Sequence, residues 1–460
     1  MDGLAPVSIP FVDTGSYPTR AGNRIHHWID GERTFQRIGE AIEAARESVW
    51  ATITFMWPTF QMPDGRGALF DVLDRAARRG VDVRLICWRP DDETASLKPN
   101  AFWGSPEHRA LLLRYDARIN VRWDRAQSGY CQHQKTWLID ASQDDATCFV
   151  GSANLNPHSV VRLGCHGPGG YHDVHVELKG QSVMDVRHNF VQRWNEASER
   201  AREDGRWGQL ATDDLEFSSQ LAPSQGDAIV QIQRTIHAGR YTNGHPSSGG
   251  RAFPIELGER TILDQYLTAI AAAKHAIYLE NQSLTVREVI EALDLALSRG
   301  VRVVAVLPAE VASATRPTEP PEIIPGGRSL ARLCEYETFT LCGLAERDQD
   351  GVRQPVHIHS KVMLIDDEWA TVGSCNLHRY SLYGNAELNV TFRDSASVRS
   401  LRDALFQEHL GVATAALRAV DALGLFQAIA WENRELRDRQ DVEWQGLAFV
   451  ASMPTSRPPA

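Results

Sequence analysis

The sequence lacks the excess of positive charge that is typical of proteins that bind nucleic acids. It contains 48 Lys and Arg against 59 Asp and Glu, which gives a formal net charge of −11. A protein that binds the phosphate backbone usually carries a basic surface or a run rich in Lys and Arg. The sequence has no such run, so the charge balance argues against nucleic acid as the main partner, while leaving room for a local basic channel.

Long apolar segments and regularly spaced cysteines are also missing. No apolar run approaches the 18 residues that a membrane-spanning helix needs, and Met1–Pro6 has neither the charged nor the apolar region of a signal peptide. The seven cysteines are odd in number and scattered, without C-x-x-C or metal-ligand spacing. We therefore expect a cytoplasmic protein with reduced thiols, whose contact with a membrane surface would be peripheral.

Strand-like and helix-like segments alternate in both halves of the chain. In the first half, a strand predicted over 48–56 precedes an apolar helical pattern at 69–76 and a second strand at 81–87. The second half repeats this plan, with strands predicted at 276–280 and 301–307 on either side of another helical pattern. Alternation of this kind predicts an α/β fold with layers of helices on a sheet.

One strand-like segment carries polar residues at fixed spacing. The segment His359–Asp366 reads H-S-K-V-M-L-I-D, and G-S-C-N follows at 373–376. Alternate side chains of an extended strand point to the same face, so the histidine and the lysine are predicted to project together. The same pattern occurs at His133–Asp140, with G-S-A-N at 151–154.

A nearly constant offset relates the two copies. Arg-Gly-Val corners at 79–81 and 299–301 are 220 residues apart, and the motif histidines His133 and His359 are 226 apart. Such an offset indicates an internal duplication. We predict homologous α/β halves, each a mixed sheet flanked by helices in an α-β-α sandwich, packed as a pseudo-dimer with the active site at their interface. The predicted ranges are 1–205 and 228–460, joined by an acidic linker at 206–227, so a monomer suffices for a complete site.

The two copies resemble the signature of the phospholipase D superfamily, which consists of paired H-x-K-x-x-x-x-D segments, each followed by G-S-x-N. The resemblance extends over most of the chain. Three shorter segments resemble the branch of phospholipase D proper. They are Trp194-Asn195, Leu279–Gln282 (L-E-N-Q) and Glu408–Gly411 (E-H-L-G). The resemblance implies cleavage of a phosphodiester through a covalent phosphohistidine.

Two histidines and two lysines supply what this reaction needs without a metal or another cofactor. Cleavage requires a nucleophile, an acid for the leaving oxygen and positive charge around the non-bridging oxygens. By resemblance we assign His133 as the nucleophile and His359 as the acid and base, although the sequence is symmetric and permits the reverse. Lys135 and Lys361 are predicted to bind the phosphate oxygens.

Other polar residues of the motifs are expected to support these four. The G-S-x-N segments are predicted to contribute to phosphate binding, while the motif aspartates are expected to hold structure. The resemblance also implies a carboxylate downstream of each motif that orients a histidine. The residues in these roles are, for phosphate, Ser152, Asn154, Ser374 and Asn376; for structure, Asp140 and Asp366; and for orientation, Asp173 and Glu387.

Histidines beside Asp173 raise the question of a metal site. His172 and His175 flank it at a spacing that can bind a metal. However, Val174 and Val176 alternate with His175 as in a half-buried strand. We therefore predict a strand at this place and no metal.

Several substrate classes stay open. The first hypothesis is a phospholipid at a membrane surface, cleaved at its head group with water or an alcohol as acceptor. The second is a cardiolipin-type synthase with a lipid alcohol as acceptor. The third is a nuclease, which the net charge disfavours. A catalytically inactive protein that only binds phosphate groups is disfavoured by the intact motifs.

Apolar loops favour the lipid hypothesis without deciding it. Five loop side chains are available either to meet acyl chains or to fill the core, namely Trp57, Phe60, Met62, Phe102 and Trp103. Two polar or Pro-rich segments, 243–250 and 311–327, are expected either to overhang the site or to be surface insertions.

Overall fold

The computed structural model describes residues 8–90, 101–116, 118–167, 169–199, 213–309 and 330–451. The predicted loop at 311–327 lies outside this range, as does the first part of the predicted linker. Among the helices of the described ranges, none combines the length and the apolar character that a bilayer crossing requires.

The described residues form ten α-helices. Their bounds are α1 Gly31–Ala44, α2 Leu69–Arg78, α3 Pro106–Leu113, α4 Val183–Asn195, α5 Thr261–Ala272, α6 Arg287–Ser298, α7 Leu330–Leu333, α8 Arg379–Tyr383, α9 Ser395–Leu410 and α10 Ala419–Asp438.

Strands are divided almost equally between the two halves. The first half contains β1 Arg20–Ile29, β2 Ser48–Ile53, β3 Gln61–Met62, β4 Gly67–Ala68, β5 Asp82–Trp88, β6 Ile119–Asp124, β7 Thr136–Ile139, β8 Thr147–Gly151, β9 Tyr171–His172 and β10 Val174–Gly180. The second contains β11 Ala228–Ile236, β12 Glu259–Arg260, β13 Ala276–Glu280, β14 Arg302–Val306, β15 Phe339–Arg347, β16 Arg353–Pro355, β17 His357–Ile358, β18 Val362–Ile365, β19 Trp369–Gly373, β20 Glu387–Arg393 and β21 Ala448–Val450.

Both halves have the same sheet topology. The first-half order is β6-β5-β2-β7-β8-β10-β1, in which β6, β5 and β2 are parallel and the other pairings are antiparallel. The second-half order is β15-β14-β13-β18-β19-β20-β11, with the same directions at each position. This repetition confirms the predicted pair of α/β halves. Antiparallel pairing of β1 with β11 joins the two sheets edge to edge.

Helices cover both faces of each sheet. Helices α1 and α2 pack on one face of the first-half sheet, where Val49 and Ala51 of β2 are buried. Trp50, between them on the same strand, faces the other way and stacks on Phe190 of α4. In the second half, α5 and α6 cover one face, and α9 and α10 cover the other. The predicted α-β-α layering is therefore present.

The Arg-Gly-Val corners are alike in conformation as well as in sequence. Gly80 follows α2 with a φ of 91°, and Gly300 follows α6 with a φ of 86°. Glycine reaches these values without the steric strain that a Cβ causes. In each corner the following valine N–H, of Val81 or Val301, donates back to a helical carbonyl, which turns the chain into β5 or β14.

Local contacts end one helix and one predicted strand. Helix α4 ends at Asn195, because the N–H of Ser198 donates to Asp124 of β6 instead of to a helical carbonyl. The strand predicted over 48–56 ends at Ile53, because the side chain of Thr54 turns to the carbonyl oxygens of Gln132 and Gln134.

The segment 243–250 packs against the first half. Gln192 of α4 donates to the carbonyl of Asn243, and Arg20 of β1 donates to the carbonyl of Ser248. Its described contacts are thus those of a packed insertion on α4, which favours that alternative over a loop that overhangs the motifs.

Candidate active site

The two motifs meet because each one is reached through pairing with the opposite half. The N–H of His133 donates to the carbonyl of Ala386 at 2.8 Å, and the N–H of His359 donates to the carbonyl of His172 at 2.9 Å. Next to the second contact, β17 runs parallel to β9. Backbone hydrogen bonds therefore fix the relative position of the two histidines across the interface.

The carboxylates that orient the histidines are exchanged between the halves. Nδ1 of His133 lies 2.9 Å from Glu387, and Nδ1 of His359 lies 2.7 Å from Asp173. An Nδ1–H that donates to a carboxylate leaves the lone pair on Nε2. Both imidazoles therefore direct the same reactive nitrogen into the site. The sequence indicated these carboxylates, but not that each serves the histidine of the other half.

The motif serines lie behind the carboxylates, which corrects their predicted phosphate role. Ser152 donates to Asp173 at 2.6 Å, and Ser374 donates to Glu387 at 2.6 Å. Both serines are completely buried, and each hydroxyl proton is already donated. They hold the carboxylates in place and are not available to bind phosphate.

The asparagine of the first G-S-x-N segment approaches the motif histidine of the other half. Nδ2 of Asn154 lies 3.5 Å from Nε2 of His359. The buried Oδ1 atoms of Asn154 and Asn376 have no hydrogen-bond partner among the described residues. Polar atoms that are buried in this way usually have a partner, so they are suited to a bound polar ligand.

The glycines of the same segments allow close strand packing. A Cβ at Gly151 would lie 2.3 Å from the ring of His175, and a Cβ at Gly373 would lie 2.2 Å from the side chain of Asn389. His175 therefore packs over Gly151 and does not point towards Asp173 and His172 as a joint ligand set. The three residues considered as a metal site in the sequence face different surroundings.

Two buried lysines make the site electropositive. Nζ of Lys135 donates to the carbonyl of His133 at 2.9 Å, and Nζ of Lys361 donates to the carbonyl of His359. Burial lowers the pKa of Lys135 to about 8, while the Glu387 carboxylate opposes this change. Burial and the charge of Lys135 lower the pKa of Lys361 to about 7. An anion bound between the two lysines would favour their charged forms and raise both pKa values again.

Burial keeps both histidines neutral at neutral pH. Burial lowers the pKa of His133 to about 4, against the opposing charge of Glu387. Burial and the charge of Lys361 lower the pKa of His359 to about 3, against the opposing charge of Asp173. A bound phosphodiester anion would favour the protonated form again, so the proton needed by an acid would enter with the substrate.

The motif aspartates bind backbone at the far ends of their strands. Asp140, with a φ of 53°, accepts the N–H groups of residues 46–48, and Asp366, with a φ of 56°, accepts those of residues 274–276. Each carboxylate thus fixes the turn that leads into β2 or β13. These contacts are structural, and they are repeated in both halves.

Aromatic rings line one side of the site. The ring of Tyr171 lies 5.2 Å from that of His359, His158 stacks on Tyr171 at 5.6 Å, and Trp57 meets His158 at 6.1 Å. A cavity of about 410 Å³ borders this wall and is also lined by His357. The sequence did not single out Tyr171, although its position two residues before Asp173 was a usable signal.

Three of the five loop side chains considered for acyl contact belong to the core instead. Phe60, Met62 and Phe102 are 2–3% exposed and pack with α1 and α2. Trp57 and Trp103 are partly exposed. Large apolar side chains are buried wherever the fold provides room for them, so only the two tryptophans stay available at the surface.

Replacing Lys361 with methionine is expected to stabilise the fold while removing activity. A buried charge opposes folding, so the free energy of unfolding at pH 7 should rise by about 1–3 kcal/mol. The folded pKa of about 7 lies below the ordinary lysine pKa of 10.5. The unfolded state therefore binds more protons between these pH values, and wild-type stability rises with pH through this window. The gain from K361M should be largest below pH 7 and should vanish above pH 10.5.

Denaturant titrations at several pH values measure this effect. Lys274→Met, at an exposed lysine, is the matched control. A K361M protein that is less stable than the wild type at pH 7 would show that this lysine contributes to the fold instead of opposing it.

Comparison with known proteins agrees with this geometry. Residues 38–166 and 266–409, more than half of the chain, match the family described as "Cardiolipin synthase, PLD-like domain". Residues 162–286 match the family described as "Phospholipase D".

Two curated relatives and one solved structure cover most of the chain. Phospholipase D A of Dictyostelium discoideum is 25% identical over 86% of this chain and 36% of its own length. Cardiolipin synthase B of Salmonella typhimurium is 26% identical over 84% of this chain and 80% of its own length. The crystal structure of phosphatidylserine synthase from Haemophilus influenzae shares the fold, with a TM-score of 0.56, 13% identity and coverage of 90% of this chain and 94% of that chain.

The present chain thus spans about a third of the first relative's length and four-fifths of the second's. The family match includes both motif copies, which the structure brings together at one interface. The chain therefore belongs to the phospholipase D superfamily, a family of phosphodiesterases and phosphatidyltransferases.

Proposed function

We propose that the protein cleaves the head-group phosphodiester of a phospholipid in the manner of a phospholipase D, by hydrolysis and by transfer of the phosphatidyl group to an alcohol. The observation that carries this proposal is the pair of imidazoles whose Nδ1 atoms are held by Glu387 and Asp173. Two Nε2 atoms with two buried lysines beside them provide an in-line nucleophile, an acid and a cationic site for the phosphate oxygens.

The first half-reaction forms a covalent intermediate. Nε2 of neutral His133 attacks phosphorus, and the P–N bond forms as the bond to the head-group oxygen breaks. His359, protonated on Nε2 when the anion binds, gives its proton to that oxygen, so the head group leaves as an alcohol and not as an alkoxide. Lys135 and Lys361 balance the charge of the phosphate oxygens, and Glu387 stabilises the positive charge that develops on His133.

The second half-reaction reverses the proton transfer. His359 is now neutral and takes a proton from water or from an alcohol, whose oxygen attacks phosphorus. The P–N bond breaks, and the products are a phosphatidic acid or a new phosphatidyl ester. The same histidine thus serves as acid and then as base, as microscopic reversibility requires. No step in this sequence needs a metal or another cofactor.

A lipid substrate is favoured by the surroundings of His359. The aromatic wall of Tyr171, His158 and Trp57 and the cavity beside it offer apolar contact next to the reacting atoms. The net charge of −11 is unfavourable for a polyanion such as DNA. Both considerations support a substrate with one phosphodiester and an apolar body.

A phosphatidyl-alcohol synthase of the cardiolipin type is the second candidate. It would use the same histidines and lysines and differ in the acceptor of the second half-reaction. The name of the Salmonella relative, cardiolipin synthase B, supports it, whereas the name of the Dictyostelium relative supports the phospholipase.

An assay with lipid vesicles distinguishes these candidates. One arm uses vesicles of phosphatidylcholine or phosphatidylethanolamine, and a parallel arm adds phosphatidylglycerol. The purified protein is expected to release head group with chelator present in the assay, and mass spectrometry identifies the lipid product. Phosphatidic acid indicates hydrolysis, and a phosphatidyl ester after addition of ethanol or glycerol indicates transfer. Predominant cardiolipin from phosphatidylglycerol favours the synthase. Cleavage of single-stranded DNA without any lipid product would contradict both.

A further inference from the structure

A second group of buried titratable side chains lies directly behind the catalytic motifs, and the proposed reaction uses none of them. Asp30 precedes α1, His166 and His172 lie on either side of 167–171 in the first half, and Glu408 is near the end of α9 in the second half. These four side chains, which we call the inner cluster, are 0–1% exposed.

The donor atoms of the inner cluster surround a common point. Nε2 of His166 lies 3.1 Å from Asp30 and 3.5 Å from Glu408, and Nδ1 of His172 lies 3.1 Å from Asp30 and 3.5 Å from Glu408. One donor atom from each residue fits within a set whose members are all within 4.8 Å of one another. Four ligands around a tetrahedral ion with bonds near 2 Å are separated by roughly 3.3 Å.

Several of these atoms have no hydrogen-bond partner among the described residues. They include Oδ2 of Asp30, both ring nitrogens of His166 and Oε2 of Glu408. The atoms are close to one another, but they are not aligned as donor and acceptor. Buried polar atoms without such partners are costly, and the convergence of two carboxylates on two imidazoles is the donor arrangement that a bound cation satisfies.

Further carboxylates hold the histidines from behind. Nε2 of His172 lies 3.1 Å from Glu280, which also accepts from His409 at 2.9 Å. Nδ1 of His166 lies 3.7 Å from Glu346. Metal-bound histidines commonly have a carboxylate at the second ring nitrogen, which fixes the tautomer and the ring orientation. His172 has this arrangement, whereas the 3.7 Å between Nδ1 of His166 and Glu346 is longer than a hydrogen bond.

We propose that Asp30, His166, His172 and Glu408 bind one divalent cation, with Zn²⁺ as the ion that fits best. Two imidazole nitrogens and two carboxylates, with nitrogen–oxygen separations of 3.1–3.5 Å, suit zinc, whereas calcium and magnesium prefer oxygen ligands in larger numbers. This proposal departs from the sequence prediction, which expected no metal. It shares only His172 with the metal set considered there.

The ion would join the two halves and position the catalytic groups without touching substrate. Three ligands belong to the first half, and Glu408 belongs to the second. Oδ1 of Asp30 accepts the backbone N–H of Asp173 at 3.2 Å, and the carbonyl of His172 accepts the N–H of His359. The inner cluster therefore acts on the site through the backbone of Asp173 and His359. Metal binding itself does not depend on which phosphodiester the protein cleaves.

Metal content is the direct test. The full chain, purified without a chelator or an affinity tag that binds metal, is expected to contain about one Zn²⁺ per chain by inductively coupled plasma mass spectrometry. Glu408→Gln and His166→Ala should lose most of it, while His275→Ala, at an exposed histidine, should retain it. Replacement by Co²⁺ should give the visible d–d absorption of a tetrahedral site in the wild type and in His275→Ala only.

A thermal measurement keeps the test valid if His166→Ala fails to fold. Wild-type protein stripped of metal should melt several degrees lower, by about 5 °C, and should recover when Zn²⁺ alone is returned. Glu408→Gln, which preserves shape, should melt at the same temperature with and without Zn²⁺. Folded wild type that contains no metal and gains no stability from Zn²⁺ would overturn the proposal and leave a hydrogen-bonded cluster of histidines and carboxylates. Equal metal content in Glu408→Gln and the wild type would also overturn it.

Discussion

His133→Ala should lower phosphodiester turnover by roughly 10³–10⁴-fold or more and should leave no covalent phosphoenzyme. The loss is large because no other group described in the site combines a free lone pair with the position of Nε2. His359→Ala should lower turnover to a similar extent for a different reason, since it removes the proton donor and then the base. With a substrate that has a good leaving group, His359→Ala should accumulate the phosphoenzyme, because formation no longer needs the acid while release still needs the base.

Digests of protein quenched with denaturant at mildly alkaline pH, where the P–N bond survives, locate the phosphatidyl group when they are analysed by mass spectrometry. A lipid analogue with a nitrophenyl leaving group supplies the substrate, and His275→Ala serves as the control because its histidine is exposed. A phosphoenzyme that persists in His133→Ala and disappears in His359→Ala would reverse the two roles. The geometry permits that outcome, because each histidine has its Nδ1 beside a carboxylate and keeps the lone pair on Nε2.

The exchanged carboxylates lead to the second large effect. Glu387→Gln and Asp173→Asn should each lower turnover by about 10²–10⁴-fold, because a neutral amide neither fixes the required tautomer nor stabilises the imidazolium. The two variants should differ in which half-reaction is slowed. Glu387 contacts His133, so Glu387→Gln should impair formation of the phosphoenzyme. Asp173 contacts His359, so Asp173→Asn should impair its release.

Rapid-quench measurements of both half-reactions distinguish this assignment from its opposite. If each carboxylate served the histidine of its own half, Asp173→Asn would resemble His133→Ala and not His359→Ala. Glu177→Gln is a suitable control. Glu177 lies on β10, which begins directly after Asp173. It contacts Trp28 and Arg37 instead of a motif residue, so this variant should turn over at nearly the wild-type rate.

Local patterns were sufficient to predict the fold class and the histidines and lysines that the structure brings together. His133, Lys135 and their counterparts at 359 and 361 follow from spacing along single segments, and the α/β halves follow from hydrophobic periodicity. The roles of Ser152 and Ser374 could not be separated from those of the neighbouring asparagines, because both residue types are polar and next to each other. Which of them faces phosphate depends on the local twist after β8 and β19.

Long-range pairing was beyond the sequence pattern. The sequence indicated both Asp173 and Glu387, yet their exchange between histidines depends on how one half faces the other. The inner cluster was even harder to predict from the sequence, because Asp30 and Glu408 are separated by most of the chain. The histidines at 172 and 175 were visible as a possible ligand pair, but the strand alternation that argued against that pair says nothing about residues contributed by other elements.

The edge pairing of β1 with β11 and the exchange of Asp173 and Glu387 together have a kinetic consequence. Neither half can hold its own histidine in the required tautomer, so a single half has no competent nucleophile until a second half is docked. If the two halves were separate chains, activity would rise with the square of protein concentration as long as most halves were unpaired. Here the covalent connection sets a fixed effective concentration of one half at the other. Specific activity should therefore be independent of dilution, and substrate rather than assembly would control the rate.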